Sequence, residues 1–152
     1  MVGAIAAVNA AGDIYHPDTR QILAGARRED EQGFRDTMAA IMGGYRVVTS
    51  TGSNTTIGAV ATNMPFTKVE MTKIAQMAHD GFARSINPVH TLSDGDTIFA
   101  LSMGKASPIR ADVSAIGAIA ATVMAHAVAR AVVQAESLTE HQLPAHRDYV
   151  KG

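Results

Sequence analysis

The sequence contains no cysteine and no tryptophan, and it has almost no excess charge, with 13 Lys and Arg residues against 14 Asp and Glu residues. The absence of cysteine excludes disulfides, thiol catalysis and thiolate metal sites. The balanced charge argues against nucleic acid or an anionic membrane as a partner. The first residues, MVGAIAAVNAAGD, include an apolar stretch but no basic segment before it, so we expect no signal peptide. These features predict a cytoplasmic protein.

A chain of 152 residues is long enough for one compact domain with a hydrophobic core. Three short apolar runs predict buried strands, at residues 2–9, 55–62 and 97–103. Three longer segments with apolar residues at helical spacing predict helices, at residues 30–42, 65–86 and 111–135. Strands that alternate with long helices are typical of a layered α/β fold.

Local signals support several of these elements. Thr67 and Glu70 form a capping-box pattern at the start of the helix predicted over 65–86. Gly58 lies inside a predicted strand, where a glycine often marks a close backbone approach. The segment 111–135 is apolar but contains ionisable side chains, so we interpret it as a buried helix and not as a membrane span.

Thr55 follows the small-residue corner TSTGSN and opens an apolar run. A pair of β-branched residues often simply begins a strand. A second interpretation is that the bond between Asn54 and Thr55 cleaves itself, because a threonine hydroxyl can attack the preceding carbonyl and form an ester. Hydrolysis of that ester leaves an amino-terminal threonine. Its amine, with an ordinary pKa of about 8, can accept the proton of its own hydroxyl.

Other polar residues near strand ends are candidates for chemistry. Asp94 and Asp96, in SDGDTIF, form either a turn or an acidic pair that orients an amine and relays a proton. A calcium loop would need further oxygen ligands that the pattern lacks. Asn9, at the end of the first strand, is either a turn residue or an amide donor to an oxyanion. His79 and His90 lack a short zinc-ligand spacing, so we predict no metal and no cofactor.

Residues 54–104, NTTIGAVATNMPFTKVEMTKIAQMAHDGFARSINPVHTLSDGDTIFALSMG, resemble the L-aminopeptidase/D-esterase family. That family includes β-peptidyl aminopeptidases and the nylon-oligomer (6-aminohexanoate oligomer) hydrolases. The likeness continues through SAIGAIAATVMAHAV and backwards into VGAIAAVNAAGDI, so it covers nearly the whole chain. The nylon hydrolases are the nearer match, because they too combine a threonine nucleophile with two aspartates.

The resemblance implies a role for each matching residue. Thr55 would be the nucleophile, exposed as a new amino terminus by autocleavage after Asn54. Asp94 and Asp96 would position and tune the amine and hydroxyl of that threonine. Asn9 would match the asparagine that contributes to oxyanion stabilisation.

The resemblance also implies an architecture, an α/β/β/α sandwich like that of the amino-terminal-nucleophile hydrolases, usually in a homo-oligomer. Cleavage would give residues 1–54, the end of the large-subunit region with its processing loop, and residues 55–152, the small subunit. Family members are about twice as long, so this chain would correspond to the carboxy-terminal half. Strand faces would then lack their cover, and we expect either a homo-oligomer or a complementary amino-terminal half as partner.

The leading hypothesis is an autoprocessed threonine-nucleophile amide hydrolase or aminopeptidase. Its substrates would be small peptides, amino-acid amides, β-peptides or ω-amino acid oligomers. Two alternatives remain open at this stage. One is acyl transfer like that of ornithine acetyltransferases, which resemble this family in architecture and nucleophile. The other is a non-catalytic truncated half that serves in assembly.

Overall fold

The computed structural model describes residues 1–29, 33–45, 54–92, 94–104, 111–141 and 143–149. This part of the chain forms a mixed α/β structure, which confirms the predicted class. Its strands are β1 (Val2–Asn9), β2 (Asp13–Tyr15), β3 (Ile22–Ala24), β4 (Thr55–Thr62), β5 (Ile86–Asn87) and β6 (Thr97–Ser102). Its α-helices are α1 (Thr37–Met42), α2 (Lys68–Ser85), α3 (Val113–Val133) and α4 (His146–Tyr149), with a 3₁₀ turn at Thr139–His141.

The main sheet has the strand order β1-β4-β6. The central strand β4 runs antiparallel to β1, with Asn9 opposite Thr55, and parallel to β6, with Ile57 opposite Thr97. The three strands lie where the apolar runs predict them. Helices α2 and α3 pack against each other and against this sheet, and both lie on one side of it.

The hydrophobic core lies between the main sheet and the two long helices. Its largest fully buried side chains include Val60 from the sheet, Ile74 and Phe82 from α2, and Met124 from α3. Gly58 faces the same layer, where an added Cβ would lie 2.7 Å from the Met124 Cε atom. A close backbone approach was predicted at this glycine, but the nearest atoms belong to side chains, so a side chain in its place would displace the α3 methionine.

The opposite surface of the main sheet is apolar and uncovered. Every second residue of each strand points to it, as the two-residue period of a strand requires. We call this surface the open face and define it by its four large apolar side chains, Ile5, Ile57, Phe99 and Leu101, which are 72%, 48%, 59% and 49% exposed. The prediction of buried strands is thus wrong for one side of the sheet, because both helices lie on the other side.

Helix α2 begins where the capping box predicts. The Thr67 hydroxyl accepts the Glu70 N–H, and the Glu70 carboxylate accepts the Thr67 N–H in return. Helix α3 begins after Asp112, whose carboxylate accepts two N–H groups of the first turn. By length and composition α3 could cross a membrane, but one side of it packs against α2 and β1, as expected of a core helix.

A second small sheet, with the order β3-β2-β5, was not predicted. Its strands have two or three residues each, too few to show a periodic pattern. Asp13 in β2 is fully buried and accepts both the N–H and the hydroxyl of Thr37, at 2.7 Å each. Burial raises the pKa of the Asp13 carboxyl, against these two hydrogen bonds that lower it. The buried acid joins the small sheet to the start of α1.

The helix predicted over 30–42 is wrong in its described first part, residues 33–36. Gly33 has a left-handed backbone, with φ of +82°, and Phe34 pairs with Arg27 in an isolated β-bridge. The helix begins only after Asp36, whose carboxylate accepts the Ala39 N–H. Residues 46–53, which hold most of the predicted processing loop, lie outside the described residues.

Candidate active site

Four of the predicted site residues meet at one end of the main sheet. The last residue of β1, Asn9, lies directly opposite the first residue of β4, Thr55. Asn54 pairs with Asp94 in a parallel bridge that continues the β4–β6 ladder beyond the strands. The register of both ladders therefore brings together residues that are far apart in the sequence.

The Thr55 hydroxyl lies against the peptide bond that precedes it. Its Oγ1 donates to the carbonyl oxygen of Asn54 at 2.7 Å, and the Gly95 N–H donates to the same oxygen at 3.0 Å. A Cβ added at Gly95 would lie only 2.9 Å from Thr55 Oγ1. The absence of a side chain at this glycine thus leaves room for the hydroxyl.

Asp96 holds the main chain next to Thr55. Its Oδ1 accepts the N–H of Thr56 at 3.1 Å, and its Oδ2 lies 2.8 Å from Nδ1 of His90. The Asp96 side chain is only 4% exposed. A buried carboxylate is costly unless it is paired, so these two contacts explain how the acid is tolerated here.

Asp94 organises the loop before β6. Its Oδ2 accepts the N–H of Thr91 at 3.0 Å and the Thr91 hydroxyl at 2.8 Å, while Oδ1 accepts the N–H of Ala11 at 3.4 Å. The carboxylate therefore joins this loop to the turn after β1. Among the described residues no hydrogen bond joins Thr55 Oγ1 to Asp94 or Asp96. Asp96 contacts the main chain next to the threonine, at the Thr56 N–H, whereas the Asp94 carboxylate contacts Thr91 and Ala11.

The two asparagines of the site also contact each other. The side-chain amide of Asn54 donates to the main-chain carbonyl of Asn9 at 3.4 Å. Asn9 and Thr55 both lie on the side of the sheet that carries the open face, since they alternate with its apolar residues along β1 and β4. The candidate site is therefore an edge of the open face.

Two contributors to the site were missed by the sequence analysis. The first is the Gly95 N–H, which only the fold directs at the Asn54 carbonyl. The second is His90, which was considered only as a zinc ligand. Its ring lies 4.9 Å from the His79 ring, centroid to centroid, and His79 lies 5.5 Å from Phe82.

Burial lowers the pKa of His79, and the neighbouring His90 lowers it further, against smaller opposing effects of Asp96 and Asp80. The His79 ring is therefore biased towards its neutral form. Within the described part of the chain, no group of three or more His, Asp or Glu side chains is arranged to hold a metal ion.

The chain is similar to one protein family and to several individual proteins. The model of peptidase family S58 matches residues 1–144. An uncharacterized aminopeptidase of Mycobacterium tuberculosis is 33% identical over 172 aligned residues, which cover 99% of this chain and 48% of that protein. An uncharacterized aminopeptidase of Mycobacterium leprae is 35% identical over 156 residues, covering 90% of this chain and 41% of that protein.

A third relative has a named reaction. The 6-aminohexanoate-oligomer endohydrolase of Paenarthrobacter ureafaciens is 38% identical over 94 residues, which cover 55% of this chain and 26% of that enzyme. The chain spans about half the length of the mycobacterial relatives or less, and about a quarter of the endohydrolase.

Proposed function

Because this chain belongs to peptidase family S58, the family of the L-aminopeptidase/D-esterases, we propose that it is the nucleophile-bearing part of an amide hydrolase. The nucleophile is Thr55, released as an amino terminus by cleavage after Asn54. The observation that carries the proposal is the pair of donors on the Asn54 carbonyl oxygen, Thr55 Oγ1 at 2.7 Å and the Gly95 N–H at 3.0 Å.

Processing begins with attack of Thr55 Oγ1 on the Asn54 carbonyl carbon. Negative charge develops on the carbonyl oxygen, where the Gly95 N–H already donates, and such a donor stabilises an oxyanion. The carbon–nitrogen bond breaks, the hydroxyl proton passes to the nitrogen, and an ester joins Asn54 to the threonine. Water then hydrolyses the ester and leaves a carboxylate on Asn54 and a free amine on Thr55.

Hydrolysis of substrate repeats this chemistry on an external amide. The Thr55 amine, with an ordinary pKa of about 8, accepts the hydroxyl proton as the hydroxyl attacks. Asn9, opposite the nucleophile, supports the oxyanion. The Asp96 carboxylate holds the main chain next to Thr55 and the Asp94 carboxylate holds the loop before β6, and both favour the protonated amine. Proton return to the leaving amine and attack of water on the acyl ester complete the cycle.

The substrate class follows from the relatives and from the shape of the site. The named relatives are aminopeptidases and a hydrolase of 6-aminohexanoate oligomers, so we propose small peptides, amino-acid amides, β-peptides or linear ω-amino acid oligomers. A substrate at Thr55 would lie along the edge of the open face. What covers that face therefore forms the remaining wall of the pocket.

We propose that a complementary amino-terminal half of the family fold covers the open face and completes a layered α/β/β/α sandwich. The chain spans about half of its mycobacterial relatives, which leaves a comparable length of protein for this role. The face offers four large apolar side chains, more than a solvated sheet surface normally carries. A homo-oligomer that uses the same face is the competing outcome and would be seen as self-association without the second half.

The matched variants Thr55→Ala and Thr55→Ser test the nucleophile. The protein is purified alone and with the complementary half, and its intact mass is measured. We expect wild type to yield residues 1–54 and 55–152 when the site is complete, and we expect Thr55→Ser to do the same because serine keeps the hydroxyl. Thr55→Ala should remain one chain and have no amidase activity.

Two results would contradict the proposal. Splitting of Thr55→Ala at the same bond would remove the hydroxyl from the reaction. An intact and inactive wild-type chain in the assembled complex would instead favour a non-catalytic role in assembly.

A further inference from the structure

The His90–Asp96 pair connects a partly exposed imidazole to the main chain beside the nucleophile. Oδ2 of Asp96 is buried and has no hydrogen-bond donor of standard geometry among the described residues. The Nδ1 atom of His90 lies 2.8 Å from this oxygen. A buried carboxylate oxygen without such a partner would be strongly destabilised, so the position of Asp96 depends on the imidazole.

The other oxygen of the same carboxylate reaches the strand that carries Thr55. Oδ1 accepts the N–H of Thr56, which belongs to the peptide unit that follows Thr55 directly. Gly95, the residue before Asp96, donates its N–H to the peptide unit on the other side, at Asn54. The main chain on both sides of the nucleophile is thus held by two consecutive residues, Gly95 and Asp96.

The His90 ring is itself fixed in place. His90 has a left-handed backbone, with φ of +56°, which is uncommon for a residue with a side chain and costs free energy. Its ring contacts the rings of His79 and Phe82, with centroids at 4.9 Å and 6.3 Å. Phe82 is fully buried, so the core sets where the imidazole can lie.

We infer that His90 is a positioning residue of the candidate site. It holds Oδ2 of Asp96 through a proton on Nδ1, and thereby keeps Oδ1 on the Thr56 N–H and the Gly95 N–H on the Asn54 carbonyl. The consequence for catalysis rests on the proposed function, but the geometric role does not. No zinc or other metal is needed for this role of the histidine.

Three variants separate the contributions of His90. His90→Gly removes the imidazole and adopts a left-handed backbone without strain. His90→Asn also tolerates that backbone, and its amide NH₂ can replace the Nδ1 donor. His126→Asn is the matched control, because the His126 side chain is exposed to a similar degree, 43% against 39% for His90, and faces Asp18 at 3.9 Å.

The first measurement is amide hydrogen exchange in the full chain. His90→Gly should speed exchange at Thr56 and Gly95 by roughly fivefold or more, the effect of losing about one net hydrogen bond. The buried strand residue Val60 should be unaffected. We expect His90→Asn to restore most of the protection and His126→Asn to change nothing at the site. Unchanged exchange at Thr56 and Gly95 in His90→Gly would overturn the inference.

The second measurement needs no variant and therefore holds even if His90→Gly fails to fold. Nitrogen-15 spectra of the wild-type imidazole rings should show a proton on Nδ1 of His90 at mildly alkaline pH. A bare Nδ1 would overturn the inference, because it could not hold a carboxylate oxygen.

The third measurement is the rate of cleavage after Asn54 in the complete site. It should fall by roughly 10- to 100-fold in His90→Gly, as expected for a misplaced reacting group, and recover substantially in His90→Asn. A wild-type rate in His90→Gly would contradict the positioning role. Loss of cleavage in wild type together with the exchange effect would instead contradict only the proposed function.

Discussion

The two faces of the main sheet have similar compositions and opposite environments. One face carries Val60 and Ile98 against the helices, where both are buried. The other carries Ile57 and Phe99, about half exposed or more, on the same two strands. Apolar residues on both sides of a strand are typical of strands that are buried on both faces, so the chain is patterned for a cover that its own described residues do not provide.

This difference also concerns the candidate site. Thr55 and Asn9 belong to the open side of the sheet, whereas the neighbouring Thr56 points to the covered side and is fully buried. The covered side provides rigid support through the core, and the open side presents the hydroxyl. One sheet therefore carries a wall of the core on one side and the candidate site on the other.

The largest difference in stability is expected between the matched variants Phe82→Ala and Phe99→Ala. Phe82 is fully buried under the sheet, so its truncation should lower the free energy of unfolding by about 3–5 kcal/mol. Phe99 lies on the open face, and its truncation should change that free energy by less than about 0.5 kcal/mol in the chain alone. Urea denaturation measures both values.

The same two variants also test the proposal that an amino-terminal half covers the open face. If the amino-terminal half packs on the open face, Phe99→Ala should weaken its binding, although it leaves the isolated chain stable. Equal losses of stability for both variants of the isolated chain would mean that Phe99 is already buried and that the open face is not open.

A smaller difference in stability is expected between two glycine-to-alanine variants, Gly81→Ala and Gly3→Ala. A Cβ at Gly81 would overlap the Ala121 carbonyl oxygen and lie 2.8 Å from Met124 Cβ. Overpacking of this kind should cost about 1–3 kcal/mol, which outweighs the gain of about 1 kcal/mol that alanine brings to a helix. Gly3, on the open side of β1, has no atom within 4 Å of an added Cβ.

Gly3→Ala should therefore be neutral or stabilising by up to about 1 kcal/mol, since glycine is unfavourable in a strand. Thermal unfolding of the two variants provides the measurement. A destabilised Gly3→Ala chain would indicate that something already packs on the open side. A neutral Gly81→Ala would show that α2 and α3 pack less closely than this contact requires.

The smallest predicted effect is on the pH dependence of stability, and it comes from His79, under the covered face. Burial lowers its pKa below the ordinary 6.5, so the unfolded chain binds more protons than the folded chain just below pH 6.5. The stability contribution of this group is therefore present above its ordinary pKa and is lost as the pH falls towards its lowered value. His79→Phe, which keeps an aromatic ring against Phe82, should remove this part of the pH dependence.

Denaturation of wild type and His79→Phe at several pH values between about 5 and 7.5 measures the difference, which includes the loss of the coupling between His79 and its neighbours His90, Asp96 and Asp80. An identical pH dependence in the two proteins would show that His79 is not desolvated. His16→Phe is a suitable control, because within the described part of the chain the His16 ring accepts hydrogen bonds from two nearby main-chain N–H groups.

Several features could be predicted because their causes are local in the sequence. The capping box of Thr67 and Glu70 lies within four residues, and strand β4 is an uninterrupted apolar run. Gly58 was also marked as a place of close packing, although the close neighbours are the side chains of Met124 and Phe82 and not a backbone. The strands of the small sheet were missed, because elements of two or three residues have no period and owe their conformation to their neighbours.

The sequence by itself determined the positions of the three main strands and of the two long helices, because period and caps act over a few residues. It also identified Thr55, Asp94 and Asp96 as candidates through their local motif. Only the tertiary structure decided that the helices cover one face of the sheet, that Gly95 donates to the Asn54 carbonyl, and that His90 pairs with Asp96. These contacts depend on strand register and packing, which bring together groups that no local pattern relates.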